Sequence, residues 1–136
     1  MPARLNHLAV LAAAIAFFLL GYLWYGLIFT GLWTSLVGPI PMNSSPMVFV
    51  GSFLCGWVMA YFVAIALTNH EHPQAVRHGV EFGIFMGIGI YATMLLNGYL
   101  YTSKPIGLWA IDAGYVVLGV AVVGAIVSGW RKKVAT

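Results

Sequence analysis

The sequence predicts an all-α membrane protein: four transmembrane helices in one antiparallel bundle, with both termini on the cytoplasmic side. Three observations carry that prediction. Of 136 residues, 62% are hydrophobic and only 7% charged, against about a quarter charged in an ordinary soluble domain. The apolar residues fall into four runs, each longer than the ~20 residues that cross a ~30 Å hydrocarbon core. Lysine and arginine are distributed unevenly between the two sides those runs define. Barrel strands would be about 10 residues long with strict alternation, and no such period is present. Four spans use up the chain, so residues 1–136 are read as a single domain whose first partner is the lipid bilayer.

The first helix is expected over about 7–29. It follows Arg4 but is too long for a secretory signal, whose apolar stretch is about 7–15 residues and ends at small residues. Here Ala12, Ala13 and Ala14 lie early and the run continues to Phe29. Residues 30–46 are uncharged and hold Gly38, Pro39, Pro41, Asn43 and Pro46, a composition that stops a helix and reads as a linker. A second helix is expected over about 47–67. The polar connection 68–78 contains Pro73, which bars a continuous helix through it. A third helix follows over about 79–100. A turn with Ser103, Lys104 and Pro105 leads to the fourth, over about 106–130.

Orientation follows from counting cations. Arg4, Arg77, Arg131, Lys132 and Lys133 fall on the side of the termini, and only Lys104 on the other, which places both termini in the cytoplasm. Trp33 and Trp109 then mark the outer interface and Trp130 the inner one. The net charge of +3 is spent on these membrane ends, so no nucleic-acid partner is expected. A single cysteine, Cys55, permits neither a disulfide framework nor a cysteine metal site within one chain.

Asp112 is the only acidic residue well inside an apolar run. A charge at the bilayer centre costs about 2.5–3.5 kcal/mol on insertion scales, so such a residue faces protein or a wet cavity and has a partner. It lies about 9 Å inside the outer end of its helix at ~1.5 Å per residue. Asn97, Trp24 and Tyr25 fall at similar depth, and Tyr115 lies near Asp112 on its own helix face. These five form a candidate intramembrane polar site. Asp112 is its ionisable ligand, and Asn97, Tyr25 and Tyr115 are its hydrogen-bond partners. The same groups can instead serve as a folding staple that satisfies itself and binds nothing.

A second, weaker constellation lies on the cytoplasmic side: His70, Glu71, His72, His78 and Glu81. Imidazole and carboxylate suit zinc, nickel or copper, so His70, His72, His78 and Glu81 are candidate metal ligands. Solvated interfacial histidines explain the same residues, and no cofactor is expected. Gly79, Gly83 and Gly87 repeat the G-x-x-x-G spacing that lets another helix approach closely, and Ala121, Ala125 and Gly129 offer small residues to meet it. The stripe is read as packing of the third helix on the fourth, with a homodimer seam or a larger membrane complex as the alternative. Trp57 and Tyr61 are read as core.

The run Gly21-Tyr22-Leu23-Trp24-Tyr25-Gly26, followed by Phe29 and Trp33, resembles the opening signature of a bacterial membrane family, domain of unknown function 1761. Gly79, Gly83, Gly87, Asn97, Tyr101, Trp109, Asp112, Gly114, Tyr115 and the close from Gly124 to Trp130 fit the same pattern. The resemblance implies a small four-helix membrane protein of the bacterial envelope and carries no activity with it.

No Ser-His-Asp set or HExxH motif is present, and the acidic residues Glu71, Glu81 and Asp112 are placed on opposite sides of the membrane. The chain is therefore not read as an enzyme. A multi-pass inner-membrane protein, structural or accessory to a membrane assembly, is the first reading. The alternative is a small transporter or channel for an ion or small solute using Asp112. Whether Asp112 is wet or dry discriminates between them.

Overall fold

The computed structural model describes residues 5–39, 45–68 and 74–131. Among them every element is helical. We label these α1 (His7–Ile28), α2 (Thr30–Val37), α3 (Pro46–Thr68), α4 (Ala75–Tyr101) and α5 (Ile106–Gly129). All but α2 are long and apolar enough to cross a membrane, consistent with a membrane protein. Asn6 starts α1, its side-chain oxygen accepting from the free amides of Leu8 and Ala9 at 3.0 and 3.3 Å, as an N-cap does.

Two expectations are corrected. Residues 30–37 do not form an irregular linker: Leu32, Trp33, Leu36 and Val37 have helical spacing, and the chain turns at Phe29 (φ −110°, ψ 15°) into α2. α2 ends where Gly38 takes φ +80°, a left-handed conformation that glycine adopts without steric cost. The third span begins at Ala75 rather than 79, because the polar residues Arg77 and His78 take part in the helix instead of in the connection.

α5 is the central element, packing on each of the other four helices, while α1 also packs on α3. The α4–α5 seam is backbone on backbone. A Cβ added to Gly79 would lie 2.1 Å from the Gly124 carbonyl oxygen, and one at Gly83 would lie 2.5 Å from that of Val120. One at Gly87 would lie 2.9 Å from the Val117 Cα. The glycine stripe is thus filled from within the chain. Ala121 faces Gly83 as expected, but Gly124 and Ser128, not Ala125, meet Gly79, and Gly129 faces Val76.

Val10, Ala13, Ala60, Val63, Ala64, Leu67, Val120, Val123 and Val127 form a core between α1, α3 and α5. Trp57 and Tyr61 pack against it as expected, and His7 Nδ1 lies 2.8 Å from the Tyr61 hydroxyl. Asn6 Nδ2 donates to the Trp130 carbonyl at 3.2 Å, and Arg131 donates to the Leu67 carbonyl at 2.8 Å. The beginning of α1 and the end of α5 therefore lie together.

Two of the four long helices change winding on the way to the other end. α1 finishes in a π turn, Trp24–Ile28, and α4 contains another, Gly87–Ala92. Such turns occur often at functional sites.

Candidate functional site

Asp112 lies at that other end, half-buried, and both of its carboxylate oxygens accept a phenol. The Tyr25 hydroxyl donates to Oδ1 at 2.6 Å, and the Tyr99 hydroxyl donates to Oδ2. Tyr25 belongs to the π turn of α1 and Tyr99 to the last turns of α4, so three helices meet on one side chain. Successive α-helical residues point about 100° apart, and π winding narrows that angle. Trp24 can therefore reach α5 beside Tyr25, and its indole donates to the Ile111 carbonyl at 3.0 Å.

Of the five expected site residues, Asp112 and Tyr25 are bonded directly and Trp24 stands beside them. Tyr115 is present but differently employed. Its hydroxyl donates to the Phe17 carbonyl at 3.1 Å, and its ring lies against Tyr25 at 5.3 Å between centroids. Asn97 is a correction: it is exposed, and Tyr99 takes the place expected for it.

The π turn of α4 explains the exchange. In an unbroken α-helix, at about 100° per residue, Tyr99 would lie roughly 120° away from the Gly87 face that packs on α5. One extra residue in the winding turns it back by about 100°, onto that face, and carries Asn97 to the opposite side. Trp109 fixes the turn by donating its indole hydrogen to the Ala92 carbonyl at 2.9 Å. Tyr99 had the right depth in the sequence, but no residue pattern announces a change of winding.

α4 ends in a Schellman arrangement. The Lys104 amide bonds the Tyr99 carbonyl at 3.0 Å and the Ser103 amide bonds that of Leu100 at 3.4 Å. Ser103 sits at φ +53°, where glycine is usual. This tight closure holds the Lys104 ammonium 4.8 Å from the centre of the Tyr99 ring, within cation–π range.

Asp112, Tyr99 and Lys104 line a cavity of about 300 Å³, roofed by Trp33, Leu36 and Val37 of α2. Trp33, expected to mark an interface, is part of this wall, and its indole N–H is buried without a hydrogen-bond partner among the described residues. An ionised carboxylate has about four acceptor sites, and the two phenols occupy two of them. A second cavity of about 460 Å³ lies between α1 and α3, lined by Tyr25, Tyr115, Phe17, Phe18, Phe49 and Ser52 among others. Tyr25 borders it with its ring while bonding Asp112 with its hydroxyl.

The family described as protein of unknown function (DUF1761) has a model that matches residues 8–128. The chain belongs to the DUF1761 family. No curated protein and no solved structure matches it. In this DUF1761 chain both halves of the signature read from the sequence converge on one place, since Trp24 and Tyr25 of the first half bond Ile111 and Asp112 of the second.

Of the metal candidates, His70 and His72 lie outside the described residues. Glu81 pairs with Arg77 at 2.8 Å on the exposed face of α4, and His78 is engaged by a neighbour. Among the described residues no three His, Cys, Asp or Glu side chains stand close enough to hold a metal ion.

Proposed function

We propose that this protein is a small multi-pass carrier or channel of the bacterial inner membrane that takes a cationic group on Asp112. One observation carries the reading: a half-buried carboxylate, oriented by two phenols, still borders a 300 Å³ cavity. Trp33 and Tyr99 line the same cavity, and an aromatic ring attracts a cation that lies over its face. Passage is supported by Tyr25, which lines the second cavity and bonds Asp112 in the wall of the first, so that its hydroxyl stands between them. The five-to-one bias of Lys and Arg and the bond between Asn6 and Trp130 support both termini in the cytoplasm.

A purely structural role is the second reading, favoured by the way two phenols from different helices tie α1 and α4 to α5. Methylammonium binding to the protein in lipid nanodiscs, together with its flux into proteoliposomes, separates the two. The carrier reading expects saturable binding and flux that Asp112→Asn abolishes while the variant stays folded. If the wild type binds no amine and the substitution only lowers the melting temperature, Asp112 is a staple.

A further inference from the structure

The cavity beside Asp112 holds more than a cation site requires. Its wall carries Lys104, which would repel a simple cation, and Trp33, whose indole N–H has no hydrogen-bond partner among the described residues. Donors of that kind call for an anionic oxygen. We propose that the ligand is a compact zwitterion whose primary ammonium binds Asp112 and whose anionic oxygen binds Lys104 and Trp33. The inference rests on the cation-binding reading above and names the substrate class of that site.

One side chain sets the spacing. Lys104 Nζ lies 4.8 Å from the centre of the Tyr99 ring, and the hydroxyl of that same ring bonds Asp112. Adding the ring radius, the C–O bond and one short hydrogen bond limits the cation and the carboxylate to about 10 Å apart. A hydrogen bond of about 2.8 Å at each end then leaves at most roughly 4 Å between the two charges of the ligand. α-Amino acids meet that limit, and so does the ethanolamine phosphate group, whether free or as a phospholipid headgroup. A chain of five methylenes between amine and carboxylate does not.

The test measures equilibrium binding to the full chain in nanodiscs of phosphatidylglycerol. The probes are glycine, O-phosphoethanolamine, methylammonium and 6-aminohexanoate. The two compact zwitterions are expected to bind at least tenfold more tightly than methylammonium or 6-aminohexanoate. Lys104→Gln should remove that advantage by weakening the two zwitterions at least tenfold, and should not weaken methylammonium, which the Lys104 charge repels. Asp112→Asn should abolish binding of all four.

If methylammonium binds through Asp112 but the zwitterions gain nothing and Lys104→Gln is silent, this inference falls and the cation site stands. If no probe binds, both fall. Repeating the measurement in phosphatidylethanolamine nanodiscs assigns the source of a confirmed site. Loss of free-probe binding there identifies the lipid headgroup as occupant, and unchanged binding identifies a free solute.

Discussion

Replacing glycines of α4 one at a time by alanine should destabilise the protein in a graded order that the geometry sets. A new Cβ at Gly79 would meet the Gly124 carbonyl oxygen at 2.1 Å, one at Gly83 would meet that of Val120 at 2.5 Å, and one at Gly87 would meet the Val117 Cα at 2.9 Å. Relieving these to an ordinary ~3.4 Å contact requires openings of about 1.3, 0.9 and 0.5 Å respectively. The obstructing atoms are backbone, so no rotamer change relieves them. Overpacking of this kind costs typically 1–3 kcal/mol, which assigns about 3 kcal/mol to Gly79→Ala, about 2 to Gly83→Ala and about 1 to Gly87→Ala. Gly98 is the internal control, since nothing lies within 4 Å of its added Cβ. There alanine should be neutral, or stabilising by up to ~1 kcal/mol through lower unfolded-state entropy. Reversible unfolding in mixed micelles, followed by tryptophan fluorescence, reads all four variants on one scale. If Gly79→Ala and Gly98→Ala unfold alike, or the order inverts, the close α4–α5 seam is wrong.

Two further predictions address the polar end. Tyr25→Phe and Tyr99→Phe should each cost about 1 kcal/mol in the same assay, within the range measured for interhelical hydrogen bonds in membranes. The double variant should cost more than their sum, because the second loss leaves the Asp112 carboxylate with no protein donor; strict additivity would show that the phenols do not share it. Ser103→Gly should stabilise by roughly 0.5–1 kcal/mol, since a left-handed conformation is penalised for serine and open to glycine. A destabilised variant would mean that the serine side chain supports the turn.

What the sequence disclosed and what it withheld divide along physical lines. The four spans were legible because hydrocarbon thickness imposes a length and an apolar composition that little else satisfies. Asp112 was legible because a charge inside an apolar run demands a partner, and Tyr25 because depth along antiparallel helices can be counted. α2 was misread: the glycine and prolines that follow it outweighed the helical spacing of Leu32, Trp33, Leu36 and Val37. Tyr99 was missed for a different reason. Choosing between Asn97 and Tyr99 requires the phase of α4 beyond Gly87, and a π turn shifts phase without leaving a composition. Lys104 read as a topology signal because nothing in the sequence indicates that Ser103 would fold it back over Tyr99.

The two ends of the helix set are built on opposite principles, and the contrast bears on how the site works. At the end where the beginning of α1 meets the end of α5, glycine backbones touch and small and β-branched residues interlock. At the Asp112 end, α1 and α4 each carry a π turn, the second serving to aim Tyr99, and α2 roofs a cavity rather than filling it. A π turn has longer-range hydrogen bonds than the α-helix around it and can revert by passing one residue along the chain. Reversion at Trp24–Ile28 would rotate Tyr25 away from Asp112 without disturbing the packed end, whose contacts begin at Val10 and Ala13. On the carrier reading proposed above, the rigid half would hold Asp112 in place while the winding of α1 set whether Tyr25 stays bonded to it.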